Sequence, residues 1–273
     1  MSIIIEAKNL SKEFRVARRR PGVLGGLRSV INPAVRIVKA VESLSLRVER
    51  GEMIGLVGPN GAGKSTVINM MCGYLQPTEG DITICDFSIK KQEKSIKYLL
   101  GLVPQELALY VDRTPLENLR FFGEIYGLSA LERKARADEV LNFVGLYERR
   151  KDPVKSFSGG MQRRLNIAIA LVHSPKFLLM DEPTVGVDPQ SREHIFETME
   201  RLRKQGTTIL YTTHYMEEAE RLCQQIAIMD EGRIIAQGTL SQLLAMLDQA
   251  RIIQRPHGLQ ELFLQLTGKS LRD

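Results

Sequence analysis

The sequence predicts an α/β fold with a parallel sheet, and three observations predict it. Short apolar runs at 53–57, 177–180 and 207–213 have the length and continuity of strands buried on both faces. Helical periodicity separates them, clearest at Met161, Leu165, Ala168, Ile169 and Val172. Each run is followed at once by residues that carry chemistry (Gly58, Asp181 and His214), and open α/β sheets place ligands at the carboxyl ends of their strands. With 273 residues the chain can bury a full core, and one large domain with a small helical subdomain is the natural count.

Along the chain, the first fifty residues hold eleven Lys or Arg and four Glu, against a net charge of +6 for the whole. The rest is therefore close to neutral, and a local basic excess argues against a protein that coats nucleic acid. Its centre, 15–39, has seven basic residues and no acid, with Pro21, Gly22, Gly25, Gly26 and Pro33. A short amphipathic piece is expected around Leu24, Leu27, Ile31 and Val35. Three readings stay open for this stretch: a solvated loop, a contact with anionic lipid or a membrane partner, and a nucleic-acid arm.

The run at 53–57 leads into Gly58, Pro59, Asn60, Gly61, Ala62, Gly63, Lys64, Ser65 and Thr66, which fit G-x-x-x-x-G-K-[ST] and precede an apolar helix start. Such a loop turns successive backbone N–H groups toward an anion at a helix N-terminus. Lys64 can then reach the outer phosphates and the Ser65 hydroxyl can sit on Mg²⁺. Strands at 81–85 and 100–103 are expected to bracket a Lys-rich helix at 90–97. Thr114-Pro115-Leu116-Glu117 reads as a capping box with proline at the first helical position. Behind it, Leu116, Leu119, Phe122, Ile125 and Tyr126 form a stripe assigned mostly to core packing, and a second helix follows at 131–144. Ser158 is placed to cap a helix that opens with Gly159 and Gly160, giving a second N-terminus suited to phosphate. Asp181 and Glu182 end the run at 177–180, where Asp181 would hold Mg²⁺ and Glu182 would polarise the attacking water. A hairpin is expected across 226–236, and Cys72, Cys85 and Cys223 read as small buried hydrophobes.

This set resembles the ATP-binding-cassette (ABC) ATPases, whose signature Leu-Ser-Gly-Gly-Gln lies about twenty residues before the acidic strand. The resemblance covers essentially the whole chain. It implies a P-loop NTPase fold with a RecA-like core, an antiparallel β subdomain and a helical subdomain at about 106–158. The nucleotide-binding domain would occupy 1–239, with a basic insertion at about 15–39, and 240–273 would form a helical tail. It also implies that Phe14 stacks on adenine, although a core aromatic fits the sequence as well. Gln105 matches the hinge glutamine that touches Mg²⁺ or water, Asp188 the loop lining the dimer interface, and His214 the switch histidine that contacts the γ-phosphate. The implied mechanism is a homodimer holding each ATP between the loop at Gly58–Thr66 of one copy and Ser158, Gly159 and Gly160 of the other.

The signature here carries Phe157 and Met161 in place of the usual Leu and Gln, followed by Gln162-Arg163-Arg164. That form, with the closing segment from Leu259, is similar to exporters of the daunorubicin-resistance and nodulation-factor type. The expectation is an exporter ATPase at the cytoplasmic membrane face, working with separate transmembrane permease chains. The alternatives are a lipid-trafficking ATPase and a non-transport ABC ATPase acting on ribosomes or DNA. No apolar run approaches the roughly 18–20 residues a bilayer span needs, and no secretory leader is expected.

Overall fold

The computed structural model describes residues 3–18, 34–246 and 258–268. Two sheets share the work. Strands β1 (Ile3–Arg18), β2 (Ala34–Glu49), β4 (Glu79–Ile84) and β5 (Phe87–Ser88) form an antiparallel sheet in the order β2-β1-β4-β5. The second sheet runs β10-β9-β3-β8-β7-β6, built from β3 (Met53–Val57), β6 (Leu100–Val103), β7 (Phe177–Asp181), β8 (Thr208–Thr213), β9 (Gln225–Asp230) and β10 (Arg233–Gly238). In it β9, β3, β8, β7 and β6 are parallel, and β10 closes the edge as a hairpin.

Strands β3, β7 and β8 are buried at every position, as continuous apolar runs require. Their side chains alternate between two cores. Ile54, Leu56, Leu179 and Leu210 face helix α1 (Lys64–Met71) and the antiparallel sheet. Met53, Val57, Leu178, Met180 and Tyr211 face the other helices. Those are α3 (Pro115–Ile125), α4 (Ala130–Phe143), α5 (Gly159–Leu171), α6 (Pro189–Lys204) and α7 (Met216–Leu222). Helix α2 (Ile89–Leu99) lies between the sheets in sequence, longer than expected and kinked at Gln92.

The capping box at Thr114 forms with both of its hydrogen bonds, and a second one, Ser129 with Glu132, starts α4. Three expectations need correction. Residues 34–39 are strand, not part of an inserted loop or amphipathic piece, because β2 pairs with β1 out to Arg18↔Ala34. Leu24, Leu27 and Ile31 lie outside the described residues. Of the stripe on α3, Leu119 is buried, but Ile125 is 58% exposed on the helix's outer end. Cys72 and Cys223 are buried as expected, whereas Cys85 is half-buried in a tight turn with φ 48°. At the far end, Leu259, Leu262 and Phe263 of α9 (Leu259–Thr267) pack into the same core as Leu243 of α8 (Leu240–Leu244). The Glu220 carboxylate accepts the Leu259 N–H at 2.6 Å.

Behind α5, the His173 ring stacks on Tyr126 at 3.6 Å and 3°, and its Nε2 donates to the Leu100 carbonyl at 2.9 Å. Burial drives its pKa down from 6.5 to about 4. The native state thus resists a proton that the unfolded chain accepts, so stability is complete above pH 6.5 and falls as pH drops toward 4. His173→Gln is expected to flatten that part of a Tm-against-pH curve, measured by thermal melts.

Candidate functional site

Strands β3, β8 and β7 are adjacent and parallel, so Gly58, His214 and Asp181 emerge from one edge of the sheet. The sharp turn after β3 depends on two glycines. A Cβ at Gly58 would lie 2.0 Å from the Met229 carbonyl oxygen, and one at Gly63, with φ 105°, 2.4 Å from that of Ala40. The turn delivers α1 with no side chain capping its N-terminus, leaving backbone donors for an anion.

The cavity at that edge, about 270 Å³, is lined by Asn60, Gly61, Gly63, Lys64, Ser65 and Thr66 of the loop. Gln105, Glu182 and Ala40 complete the lining. Lys64 is 4% exposed and donates to the carbonyls of Gly58 at 2.7 Å and Pro59 at 3.1 Å. It also pairs with the Glu182 carboxylate at 3.1 Å. The other oxygen of that carboxylate meets His214 Nδ1 at 3.0 Å. Asp181 accepts the Ser65 hydroxyl at 3.3 Å and the Thr212 hydroxyl at 2.7 Å. Glu182 adopts φ 46°, a left-handed conformation, and its carboxylate shares no partner with that of Asp181. Its N–H is held by Thr212, through the carbonyl at 3.2 Å and the hydroxyl at 3.0 Å.

Asp181 and Ser65 offer hard oxygen donors side by side, with the Gln105 side chain on the same cavity. That set suits Mg²⁺, which binds one or two carboxylates and otherwise relies on phosphates and water. Among the described residues no group of three or more His, Cys, Asp or Glu gathers as a self-sufficient metal cage.

Other expected site residues lie apart from this cavity. Ser158 caps α5 by accepting the Met161 N–H at 3.3 Å, and Ser158 and Gly159 are exposed. Asp188, also exposed, caps α6 by accepting the Ser191 N–H at 2.9 Å. That bond from Ser191 holds the Asp188 carboxyl below its usual range. The two helix starts lie against each other, since a Cβ on Gly160 would sit 2.1 Å from that of Ser191. Phe14 is half-buried on β1, paired with Val38 and lying under the Lys12 ammonium at 5.3 Å; it does not line the cavity.

Sequence reasoning missed Arg163. It is 5% exposed and donates to the carbonyls of Pro104 and Gln105, both at 2.8 Å, which ties α5 to the glutamine loop. Its spacing to Ile167 and Ala170 puts it on a buried helix face, a signal that periodicity could have supplied.

The family model described as "ABC transporter" matches residues 41–185, from β2 through the turn after Glu182. The linearmycin resistance ATP-binding protein of Bacillus subtilis is 51% identical over 225 residues, covering 82% of this chain and 72% of that one. The Nod factor export ATP-binding protein I of Cupriavidus metallidurans is 44% identical, over 75% of this chain and 67% of its own. Among solved structures, an ATP-binding subunit of an ABC transporter superposes with a TM-score of 0.76 at 30% identity, covering 97% and 99% of the two chains. A dimeric ATP-binding cassette in a post-hydrolysis state with ADP and phosphate gives 0.71 at 26% identity, over 87% and 99%. The matched span contains the phosphate loop, the glutamine loop and the acidic strand end together, and this chain therefore belongs to the ABC transporter family as one of its ATP-hydrolysing subunits.

Proposed function

We propose that this chain powers an exporter: two copies close on two ATP molecules, and separate transmembrane permeases carry the cargo. One observation carries the dimer. The cavity holding Lys64 and Glu182 is open to solvent and is lined by none of Ser158, Gly159 and Asp188, which present two helix N-termini to solvent elsewhere on the surface. An anion held by α1 would gain a second set of N–H donors from the α5 of another copy. The names of the relatives, linearmycin resistance and Nod factor export, support the export direction.

In this reading the γ-phosphate competes with Glu182 for Lys64. Once Lys64 turns to phosphate, one carboxylate oxygen of Glu182 is free to accept the proton of the attacking water. His214 keeps hold of the other oxygen and aligns the base. Ser65, Asp181 and Gln105 would hold Mg²⁺, which neutralises charge on the phosphate oxygens. Phe14 remains a proposed adenine contact, since its partner Val38 on β2 lies two residues from the cavity-lining Ala40. Closure on ATP and opening after hydrolysis give two states biased by the ligand.

Among the described residues no helix is long and apolar enough to cross a membrane, so we assign the path to other chains at the inner membrane face. Their docking site would be the groove of about 420 Å³ where Tyr74, Tyr98, Ile125 and Tyr126 expose aromatic and apolar surface. The extended β1–β2 hairpin adds Arg15, Arg36 and Lys39 with exposed Val16 and Ile37, a surface suited to anionic headgroups.

Three outcomes test this. Glu182→Gln is expected to bind ATP normally and to run as a dimer on size exclusion with ATP, with turnover lost; parent-rate hydrolysis would refute the base assignment. Arg163→Met removes the charge-assisted hydrogen bonds to the Pro104 and Gln105 carbonyls and is expected to cost about 1–3 kcal/mol in denaturant titration, with a fall in ATPase activity. Deleting 16–38 is expected to reduce sedimentation with anionic liposomes, and equal binding removes the membrane role of the hairpin.

A further inference from the structure

Beside the site lies a buried carboxylate that the mechanism above does not use. Glu218, on α7, is 3% exposed, and all its partners are hydroxyl groups. Thr184 donates to Oε1 at 2.7 Å, while Tyr211 at 2.9 Å and Thr213 at 2.8 Å donate to Oε2. Those three side chains are themselves fully buried. Burial and the neighbouring carboxylate push the Tyr211 hydroxyl well above its usual pKa, so it remains a donor.

The positions of the donors give the cluster its meaning. Thr184 is two residues past Glu182, on the turn that leaves β7, where the Glu182 carbonyl accepts the Val185 N–H at 3.2 Å. Thr213 ends β8, immediately before His214, and its hydroxyl also accepts the Tyr215 N–H at 3.0 Å. Glu182 and His214 thus sit at two separate strand ends, and Glu218 is hydrogen-bonded to a neighbour of each, Thr184 and Thr213. Burying a carboxylate without a cation is costly, and well-packed apolar groups would hold two strands together at less cost. What an apolar group cannot do is fix direction: three short hydroxyl bonds converging on one carboxyl group set both distance and orientation.

We propose that Glu218 is a positioning residue: it pins Thr184 to Thr213 and thereby holds His214 within hydrogen-bonding reach of Glu182. This rests on the reading of Glu182 and His214 given above. Its sequence signal is faint, because Glu217 and Glu218 together read as two solvated acids in a first helical turn.

The test is a double-mutant cycle on the purified full chain. Glu218→Gln should lower kcat by about tenfold at saturating MgATP, with nucleotide affinity and Tm close to the parent. In a His214→Ala background the same substitution should cost nothing further, since it acts through the histidine. Tyr211→Phe removes a single hydroxyl while keeping ring volume, and should reproduce the pattern in weaker form should Glu218→Gln fold poorly. A loss of kcat that is equal with and without His214 overturns the proposal and leaves the histidine's role standing. Full turnover in His214→Ala removes that role and the proposal together, and the two failures are told apart by the single variant.

Discussion

Lys64 and Glu182 meet 3.1 Å apart with almost no access to water, and the rest of the site depends on that contact. A buried ion pair repays its desolvation only where every remaining donor and acceptor is also satisfied. Here they are: Lys64 gives its other hydrogens to Gly58 and Pro59, and Glu182 spends its second oxygen on His214. The pair is a placeholder of balanced charge in a cavity made for phosphate. In the proposed mechanism a triphosphate, with more negative charge than one carboxylate, would displace Glu182 from the ammonium and leave the proposed base attached only to the histidine. Binding and arming are then one exchange of partners.

That exchange works only because three strands end at the same edge. Had β8 not run between β3 and β7, the histidine could not lie between the phosphate loop and the acidic pair. Register fixes the rest: Val57 pairs with Thr213 and Asp181 with Thr212, so Gly58, His214 and Glu182 each stand one residue beyond a paired position. Thr212 uses this alignment to hold the Asp181 carboxylate and the Glu182 N–H with one hydroxyl. The left-handed backbone at Glu182 is the cost, and Thr212 is what maintains it.

Much of this was legible in the sequence, because buried parallel strands and phosphate loops impose narrow patterns. The apolar runs marked the strands, and the residues just after them marked the site. What was not legible has physical reasons. Charged residues on helices are read as solvated unless their face is traced, which hid Arg163 and Glu218. A basic stretch with Gly and Pro reads as a loop, and its apolar residues suggested an amphipathic piece rather than a strand, so the pairing of β1 with β2 out to Ala34 went unread. A stripe can be apolar and still exposed where a helix ends at the surface, as Ile125 shows. Ala40 lines the cavity through its backbone position, and an alanine carries no pattern at all.

Helix α7 shows how unequal the contacts of one short element can be. Outward, Arg221 forks onto Glu193 and Glu200 of α6 at 2.6–3.2 Å, exposed pairs that solvent and salt weaken. Sideways, Glu220 receives the first N–H of α9 and joins the helix to the chain's closing segment. Inward, Glu218 reaches both strand ends in a region closed to water. The inward contact is the one that cannot be exchanged for hydration, so it decides where α7 sits. The salt bridges on its far side follow that placement. A shift of the histidine during turnover must therefore carry α7 with it, or break bonds that nothing else nearby replaces.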